Sequence, residues 1–425
     1  MEHRLVQAQE RMTVTGEGMV PIGSGRLSAQ RRVLTILACT QVLGGLGVGM
    51  SIAVTTLLAA SMSGSDAIGG LAQTSSVLGA ALLAVPIART AARRGRRPAL
   101  ASAYGCGAAG ALVVVLATAL AWWPLLLFGL LLFGGGGAAG LAARYAATDL
   151  APPGRSARDL SVVVWATTVG AIAGPNLARP ADLLGRRLSL PPEAGPYLLA
   201  AMTFGTAAIV IFAVLRPDPL RPGTGPVRRS SPGGAWRTLR RFPVARTAIT
   251  AIVVSHTVMV SVMSMTPVHL SHGHAALTVV GVVISLHIAG MYALSPLVGW
   301  AADRFGRIPV LLLGMAQLGT AAALAATSGP HDVARLASAL VLLGVGWSCG
   351  LVAGSALLSE SVPAERRASV QGLSDLLMNG AAAAGGITGG AVVAAFSYGV
   401  LAVAAIGLVV PATAMLVMCR QGQGA

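Results

Sequence analysis

The chain alternates long apolar runs with short polar segments that carry arginine, from about residue 33 almost to its end. Most runs hold about 20 residues or more, the length an α-helix needs to cross the hydrocarbon core of a bilayer. The runs are continuous, without the residue-by-residue alternation of a membrane β-barrel, which favours helices. The pattern predicts an all-α membrane protein with twelve spanning helices, near residues 33–60, 67–89, 98–120, 123–148, 160–178, 196–215, 247–268, 277–299, 308–327, 334–357, 369–391 and 396–418.

One polar segment divides the twelve predicted helices into two sets of six. Residues 216–246 contain eight arginines and six prolines, so this segment cannot span a membrane and is poorly suited to packing. It is interpreted as a linker between two related halves. The predicted organisation is a tail at 1–31, a six-helix half at 32–215, the linker at 216–246, a second half at 247–419 and a tail at 420–425.

The composition agrees with a chain that lipid covers. Hydrophobic residues make up 55% of it and charged residues only 10%, whereas about a quarter of a soluble domain is charged. The net charge is +16 and every basic residue is arginine. With a cytoplasmic N-terminus, 26 of the 30 arginines fall on the cytoplasmic side, as the positive-inside rule requires. The distribution of arginines therefore predicts a bacterial inner-membrane protein with both termini in the cytoplasm. It also explains the positive charge without a nucleic-acid partner.

The sequence offers no signature of an enzyme. Its four cysteines lie in or at the ends of separate apolar runs, with no CxxC pair for zinc. Neither a phosphate-binding loop nor a hydrolase elbow appears, and Gly135-x-Gly137-x-x-Gly140 lies inside an apolar run without a preceding strand. We therefore expect neither catalytic residues nor a cofactor. We also expect the protein to be a monomer.

A similar polar loop follows the second and the eighth predicted helices. The later copy consists of Gly299, Asp303, Arg304, Gly306 and Arg307, and the earlier copy keeps Arg93, Gly95 and Arg96. The repeated loop and the two six-helix halves resemble the major facilitator superfamily, whose loop motif is G-x-L-x-D-R-x-G-R. The resemblance implies a gating loop in which the aspartate caps a neighbouring helix. The first copy departs from the motif, because Ala92 stands in place of the aspartate.

Histidine and methionine side chains are concentrated in the seventh and eighth predicted helices. Met259 and Met263 are four residues apart, as are His287 and Met291, so each pair lies on one helix face. If a short loop joins two antiparallel helices here, both pairs lie at a similar depth near the middle of the membrane. Thioethers are soft, uncharged ligands that suit Cu(I), and imidazole also binds copper.

The paired motifs M-x-x-x-M and H-x-x-x-M resemble those of CcoA-type copper importers, a branch of the same superfamily. This resemblance implies that Met259, Met263, His287 and Met291 bind copper as a transported substrate. The remaining histidines near this hairpin, together with one methionine, are candidates for delivering metal to the mouth of the path: His256, Met265, His269, His272 and His274. The implied function is copper import by alternating access between the two halves.

A few other polar residues fall within the predicted spans. Asp375 and Asn379 are four residues apart on the eleventh helix, and a carboxylate at this depth is either functional or paired with an arginine such as Arg144 or Arg304. Asn176 and Gln41 are further candidates for lining a cavity.

Three alternatives to copper import remain open. Gly174-Pro175 in the fifth predicted helix resembles an element of superfamily antiporters, which would fit a proton-coupled multidrug efflux pump. Related branches of the superfamily import riboflavin. A membrane protein that binds copper without transporting it would show the same ligands and no flux.

Overall fold

The computed structural model describes residues 24–220, 232–274 and 277–424, and this part of the chain contains helices and no strand. The first half comprises six helices: α1 (Ser24–Ser63), α2 (Asp66–Arg94), α3 (Arg96–Ala119), α4 (Trp123–Ala146), α5 (Ser156–Arg187) and α6 (Gly195–Val214). The rest comprises α7 (Pro232–Arg241), α8 (Pro243–His272), α9 (Leu277–Tyr292), α10 (Ser295–Phe305), α11 (Arg307–Ala326), α12 (Val333–Glu360), α13 (Ala364–Ala395) and α14 (Tyr398–Gly424).

Twelve helical segments of the described chain are long and apolar enough to cross a membrane, which confirms the predicted number. α9 and α10 together form the eighth segment, and the helix is interrupted just before Pro296. Proline lacks a backbone N–H and its ring clashes with the preceding turn, so an interruption at this place is expected. α5 instead continues past Pro175 and Pro180 to Arg187, nine residues beyond the predicted end.

Part of the linker is ordered, contrary to the expectation that 216–246 packs poorly. α7 buries Ala235 and Leu239 on the side that packs against α13, while Trp236 and Arg240 are exposed. The buried residues are four positions apart, the spacing that places side chains on one helix face. Residues 1–23 of the tail predicted at 1–31 and linker residues 221–231 lie outside the described residues. Residues 24–31 of that predicted tail instead belong to α1, which begins at Ser24.

Each half has its own apolar core, and glycines bring the helices of each core close together. α3 packs against α4 where Gly110 meets the backbone of Phe133, and α2 packs against α4 where Gly79 meets Leu131. A hydrogen atom in place of a side chain lets two backbones approach, which is the usual way that membrane helices gain packing contacts.

The two halves join at the face of the bundle where α2, α4, α10 and α12 end, which we call the Arg-rich face. Here α13 packs against α2 and α10 packs against α5, with Gly372 close to Ala88 and Gly299 close to Ser161. α1 instead packs against helices of its own half, namely α2, α4, α5 and α6. The bundle is therefore closed at the Arg-rich face.

Substituting Gly79 with alanine tests this packing. An added Cβ would overlap the carbonyl oxygen of Leu131, and overpacking of this kind costs about 1–3 kcal/mol. We expect a lower apparent melting temperature for purified Gly79→Ala in detergent. Gly105→Ala is the matched control, because its Cβ would meet nothing within 4 Å. Equal melting temperatures for the two variants would contradict the packing described.

Candidate functional site

The polar loop after α10 ties the second half to the first. Asp303 accepts hydrogen bonds from the backbone N–H groups of Ala157 (3.2 Å) and Arg158 (2.8 Å), at the start of α5. A carboxylate at a helix N-terminus satisfies unpaired N–H groups and interacts favourably with the helix dipole. Arg307 holds the same carboxylate at 2.7 Å and contacts Glu360 at 2.8 Å. The capping geometry implied by the loop motif is therefore present. The gating role of the loop stays a prediction.

The turn in this loop depends on Gly306, whose φ of +99° disfavours residues with a side chain. The equivalent Gly95 in the first half has φ +95°. Arg304 and Arg93 occupy equivalent positions in the two loops, and both are exposed. The two loops thus share a backbone conformation as well as a sequence pattern.

In the first half, where Ala92 replaces the aspartate of the motif, a different aspartate lies against Gly95 of the loop. Asp218, which follows α6, accepts hydrogen bonds from the backbone N–H groups of Arg96 (2.9 Å) and Arg97 (3.0 Å) and so caps α3. The side chain of Arg96 pairs with Asp149 at 2.7 Å and donates to Gln371 of α13 at 2.6 Å. The first-half loop therefore still contacts the second half, but through an uncharged amide.

A buried ion pair joins the halves beside these loops. Arg144 of α4 donates to the carboxylate of Asp375 of α13 at 2.6 Å, and the two side chains are 1% and 7% exposed. Arg144 also donates to Ser355 of α12, to the Tyr145 hydroxyl and to the carbonyl of Leu141. Of the two partners expected for Asp375, the structure places Arg144 there and not Arg304.

The predicted ligands on α9 face α12. The Nδ1 atom of His287 lies 2.8 Å from the carbonyl oxygen of Leu340, and the imidazole is completely buried. Gly344 of α12 lies against the backbone of His287 and Met291, and Met291 is 7% exposed. Both side chains are therefore enclosed at the boundary between α9 and α12.

The predicted ligands on α8 reach a similar depth from another direction. Gly350 of α12 lies against Ser255, and Met259, one helical turn further along α8, is 4% exposed. Met259 is therefore level with the part of α12 near Gly344. Met263 is half-buried. Within the described chain, α8 and α9 make no extended contact, and α12 packs against both.

The histidine nearest the Arg-rich face belongs to an aromatic cluster. The indole N–H of Trp347 donates to Nδ1 of His256 at 2.7 Å, and Tyr292 packs edge-on against Trp347 at 5.4 Å between ring centroids. Trp347 thus connects α8 with α9. Because Nδ1 accepts this bond, the neutral ring carries its proton on Nε2 and has no lone pair left for a metal.

The other candidates for delivering metal are placed separately. His269 stacks on Tyr398 at 4.3 Å and bonds the carbonyl of Ser328 through Nε2, while Met265 lies against Gly390 of α13. His272, the last residue of α8, and His274, in the turn after it, are both exposed. The described residues hold no group of three His, Cys, Asp or Glu side chains placed to bind a metal. A metal site here would need the thioethers.

The remaining polar candidates have local roles. Gln41 donates to Thr167 at 2.9 Å within the first half. Asn379 donates to the backbone carbonyl of Asp375, not to its carboxylate, and Asn176 donates to the carbonyl of Ile172.

Three elements of the site were absent from the sequence-based predictions: the Trp347 cluster, the Gln371 contact and the Asp218 cap. Aromatic residues inside an apolar run could have indicated the first. Nothing in the local sequence indicates which distant helix Gln371 or Asp218 contacts.

A match to a protein-family model identifies the fold. The model of the Major Facilitator Superfamily matches residues 37–283 and 269–422. The chain belongs to the Major Facilitator Superfamily. It is accordingly a multi-pass membrane protein of a family that carries small solutes across membranes.

Two relatives from Bacillus subtilis cover most of the chain. The chain is 36% identical to the uncharacterized MFS-type transporter YddS over 380 residues, which are 88% of this chain and 87% of that one. It is 35% identical to the uncharacterized MFS-type transporter YdeG over 408 residues, 95% of this chain and 94% of that one. The riboflavin transporter RfnT of Brucella anthropi is 27% identical over 84% of this chain and 87% of its own length.

Solved structures of other transporters share the fold. The human organic anion transporter MFSD10 superposes with a TM-score of 0.73 at 18% identity, covering 91% of this chain and 99% of that one. A bacterial homologue of the iron transporter ferroportin gives 0.70 at 15% identity, covering 91% and 98%. These likenesses establish the arrangement of the twelve helices.

Removing the Asp303 cap should loosen the Arg-rich face. Asp303→Ala abolishes the two hydrogen bonds to α5, a loss of about 1 kcal/mol for a helix cap, or about a fivefold change in the opening equilibrium. In a chain whose four cysteines are replaced, a cysteine at the buried position Ser374 should react about five times faster with a maleimide.

Arg304→Ala is the control, because Arg304 is exposed in the same loop and should leave the labelling rate unchanged. An unaltered rate in Asp303→Ala would show that the cap does not hold the face closed.

Proposed function

We propose that this Major Facilitator Superfamily transporter imports copper ions across the bacterial plasma membrane by alternating access. The observation that carries the proposal is the state of His287. Its ring is fully buried, yet its Nε2 atom has no hydrogen-bond partner among the described residues. Such an atom costs free energy unless a ligand satisfies it.

The hydrogen bond at the other ring nitrogen determines what Nε2 offers. A backbone carbonyl can only accept, so Nδ1 of His287 carries the proton and donates to Leu340. Nε2 is then left with a lone pair. Histidines that bind metals are commonly oriented in this way, with the second nitrogen donating to a carbonyl. The same bond keeps the ring from rotating within α9.

Soft side chains are available at a similar depth. Met291 is one helical turn from His287 on α9, and Met259 packs toward α12 from α8. Thioethers favour Cu(I) and are uncharged, so they can be buried at little cost. In the described arrangement α12 lies against both helices. If ligands from α8 and α9 bind one ion together, α8 must therefore move relative to α9. Such a movement is expected at a site that binds its cargo on one side of the membrane and releases it on the other.

A second candidate, riboflavin or a similar planar ring, is favoured by the aromatic cluster. His256, Tyr292 and Trp347 come from three helices and meet in the second half. Aromatic side chains stack on flat ligands, and the relative RfnT is described as a riboflavin transporter. This candidate uses the cluster around Trp347 and leaves the thioethers without a role.

Uptake in reconstituted vesicles distinguishes the candidates. Met259→Leu and Met291→Leu keep the side-chain volume and remove the sulfur, and such exchanges usually cost less than about 1.5 kcal/mol of stability. We expect each variant to weaken Cu(I) binding by about 1.4 kcal/mol, because one sulfur ligand is lost. That loss is a factor of ten in affinity, and we expect the initial rate of Cu(I) uptake to fall about tenfold. His287→Gln should do the same.

Met315→Leu serves as the matched control, since Met315 is fully buried in α11, a helix that carries none of the proposed ligands, and should keep normal uptake. Wild-type copper uptake in the Met259 and His287 variants would refute the ligand assignment. Riboflavin uptake that Trp347→Ala abolishes would favour the second candidate. Copper binding without flux would indicate a non-transporting protein, and drug export alone would indicate an efflux pump.

A further inference from the structure

Two adjacent arginines at the start of α3 have different surroundings. The side chain of Arg96 pairs with Asp149 and donates to Gln371 of the second half. The side chain of Arg97 instead lies against Phe212 of α6, with its guanidinium carbon 4.7 Å from the ring centre. Within the described chain this guanidinium forms no ion pair, and its enclosed Nε atom has no hydrogen-bond partner.

The aspartate that bonds the backbone of Arg97 does not supply a partner for its side chain. The carboxylate of Asp218 accepts from the backbone N–H groups of Arg96, Arg97 and Leu220, and both of its oxygens are used. These bonds satisfy the N-terminus of α3. A charged donor group without an acceptor is unfavourable, so we expect the guanidinium of Arg97 to bind an acceptor from outside the chain.

The position of Phe212 shows where that acceptor comes from. α6 exposes Ile209, Phe212 and Val214 by 69%, 58% and 40%, and all three lie in a segment that is long and apolar enough to cross a membrane. This surface of α6 therefore contacts acyl chains. Phe212 lies two residues before the end of α6, at the Arg-rich face. The guanidinium of Arg97 is thus placed where the hydrocarbon meets the lipid headgroups, a level that arginine side chains commonly reach.

More positive charge lies close to this place. Arg216 follows α6 by two residues, is exposed and forms no ion pair with any described residue. Arg93 and Arg94 are exposed at the end of α2, just before the loop that leads to Arg97. A soluble anion would gain from this charge alone. A phospholipid would gain from the charge and also from contact between its acyl chain and Phe212.

We propose that Arg97 binds the phosphate of an anionic phospholipid, such as phosphatidylglycerol, whose acyl chain packs against Phe212. The planar guanidinium donates to the phosphate oxygens, which it suits better than an ammonium group does. Arg216 favours a headgroup of net negative charge over a zwitterionic one. The bound lipid attaches α3 and α6 to one leaflet, and the proposal does not depend on the identity of the cargo.

Photochemical labelling of α6 tests the proposal in the full-length chain. The protein is placed in phosphatidylcholine nanodiscs that contain a phosphatidylglycerol with a diazirine in its acyl chain, and the labelled residues are mapped by peptide mass spectrometry. We expect labelling around Phe212 to exceed that by the matching phosphatidylcholine analogue at least about fivefold, since one arginine near the surface changes the affinity for anionic lipid by about that factor. Arg97→Gln should abolish this preference, and Arg97→Lys should retain part of it.

Arg420→Gln is the matched control, because it removes one exposed charge from the same face at the end of α14 and should keep the preference. Equal labelling by the two analogues in the wild type would overturn the proposal. So would the wild-type preference in Arg97→Gln with a normal melting curve or, if that variant does not fold, in Arg216→Gln. If inorganic phosphate suppresses the labelling as well as unlabelled phosphatidylglycerol at the same concentration, the site binds free phosphate and the lipid assignment is wrong.

Discussion

The structure depends on one constraint: two charges of opposite sign are buried together where the halves meet. Arg144 and Asp375 belong to different halves and are almost completely enclosed. If one partner of such a buried ion pair is removed, the other is left as an uncompensated charge in an apolar environment, which typically costs about 3–5 kcal/mol. The pair therefore favours a closed Arg-rich face, while the Asp303 cap and the contact between Arg96 and Gln371 add weaker, more local support.

The two halves are similar in fold and differ in the polar and aromatic residues that they carry. The second half holds the intact loop motif, the unsatisfied nitrogen of His287 and the aromatic cluster around Trp347. The first half lacks an aspartate at position 92 and relies on Asp218 to cap α3. A transporter built in this way would bind its cargo mainly in one half and use the other as the surface against which that half moves. The pseudo-symmetry of the superfamily is retained in the backbone of the loops at Gly95 and Gly306.

Apolar run length predicted the twelve spans correctly, because crossing a bilayer sets a minimum length that hydropathy reveals directly. Local motifs also predicted that Asp303 could cap a neighbouring helix, and they left Asp375 either functional or paired with an arginine such as Arg144 or Arg304. The sequence did not predict which helices are neighbours in the plane of the membrane. Sequence spacing placed the methionines of α8 and the histidine of α9 at one depth, but it could not show that α12 packs against both helices. Lipid-facing and protein-facing surfaces are equally apolar, so hydropathy does not distinguish them.

In the proposed function, thioether sulfur and one imidazole nitrogen bind the transported ion. X-ray absorption of the purified chain loaded with one equivalent of Cu(I) measures the atoms around the metal directly. The account predicts copper coordinated by two or three sulfur atoms and one imidazole nitrogen, with the imidazole signal lost in His287→Gln. Copper surrounded only by nitrogen and oxygen, or a chain that retains no stoichiometric copper, would contradict it.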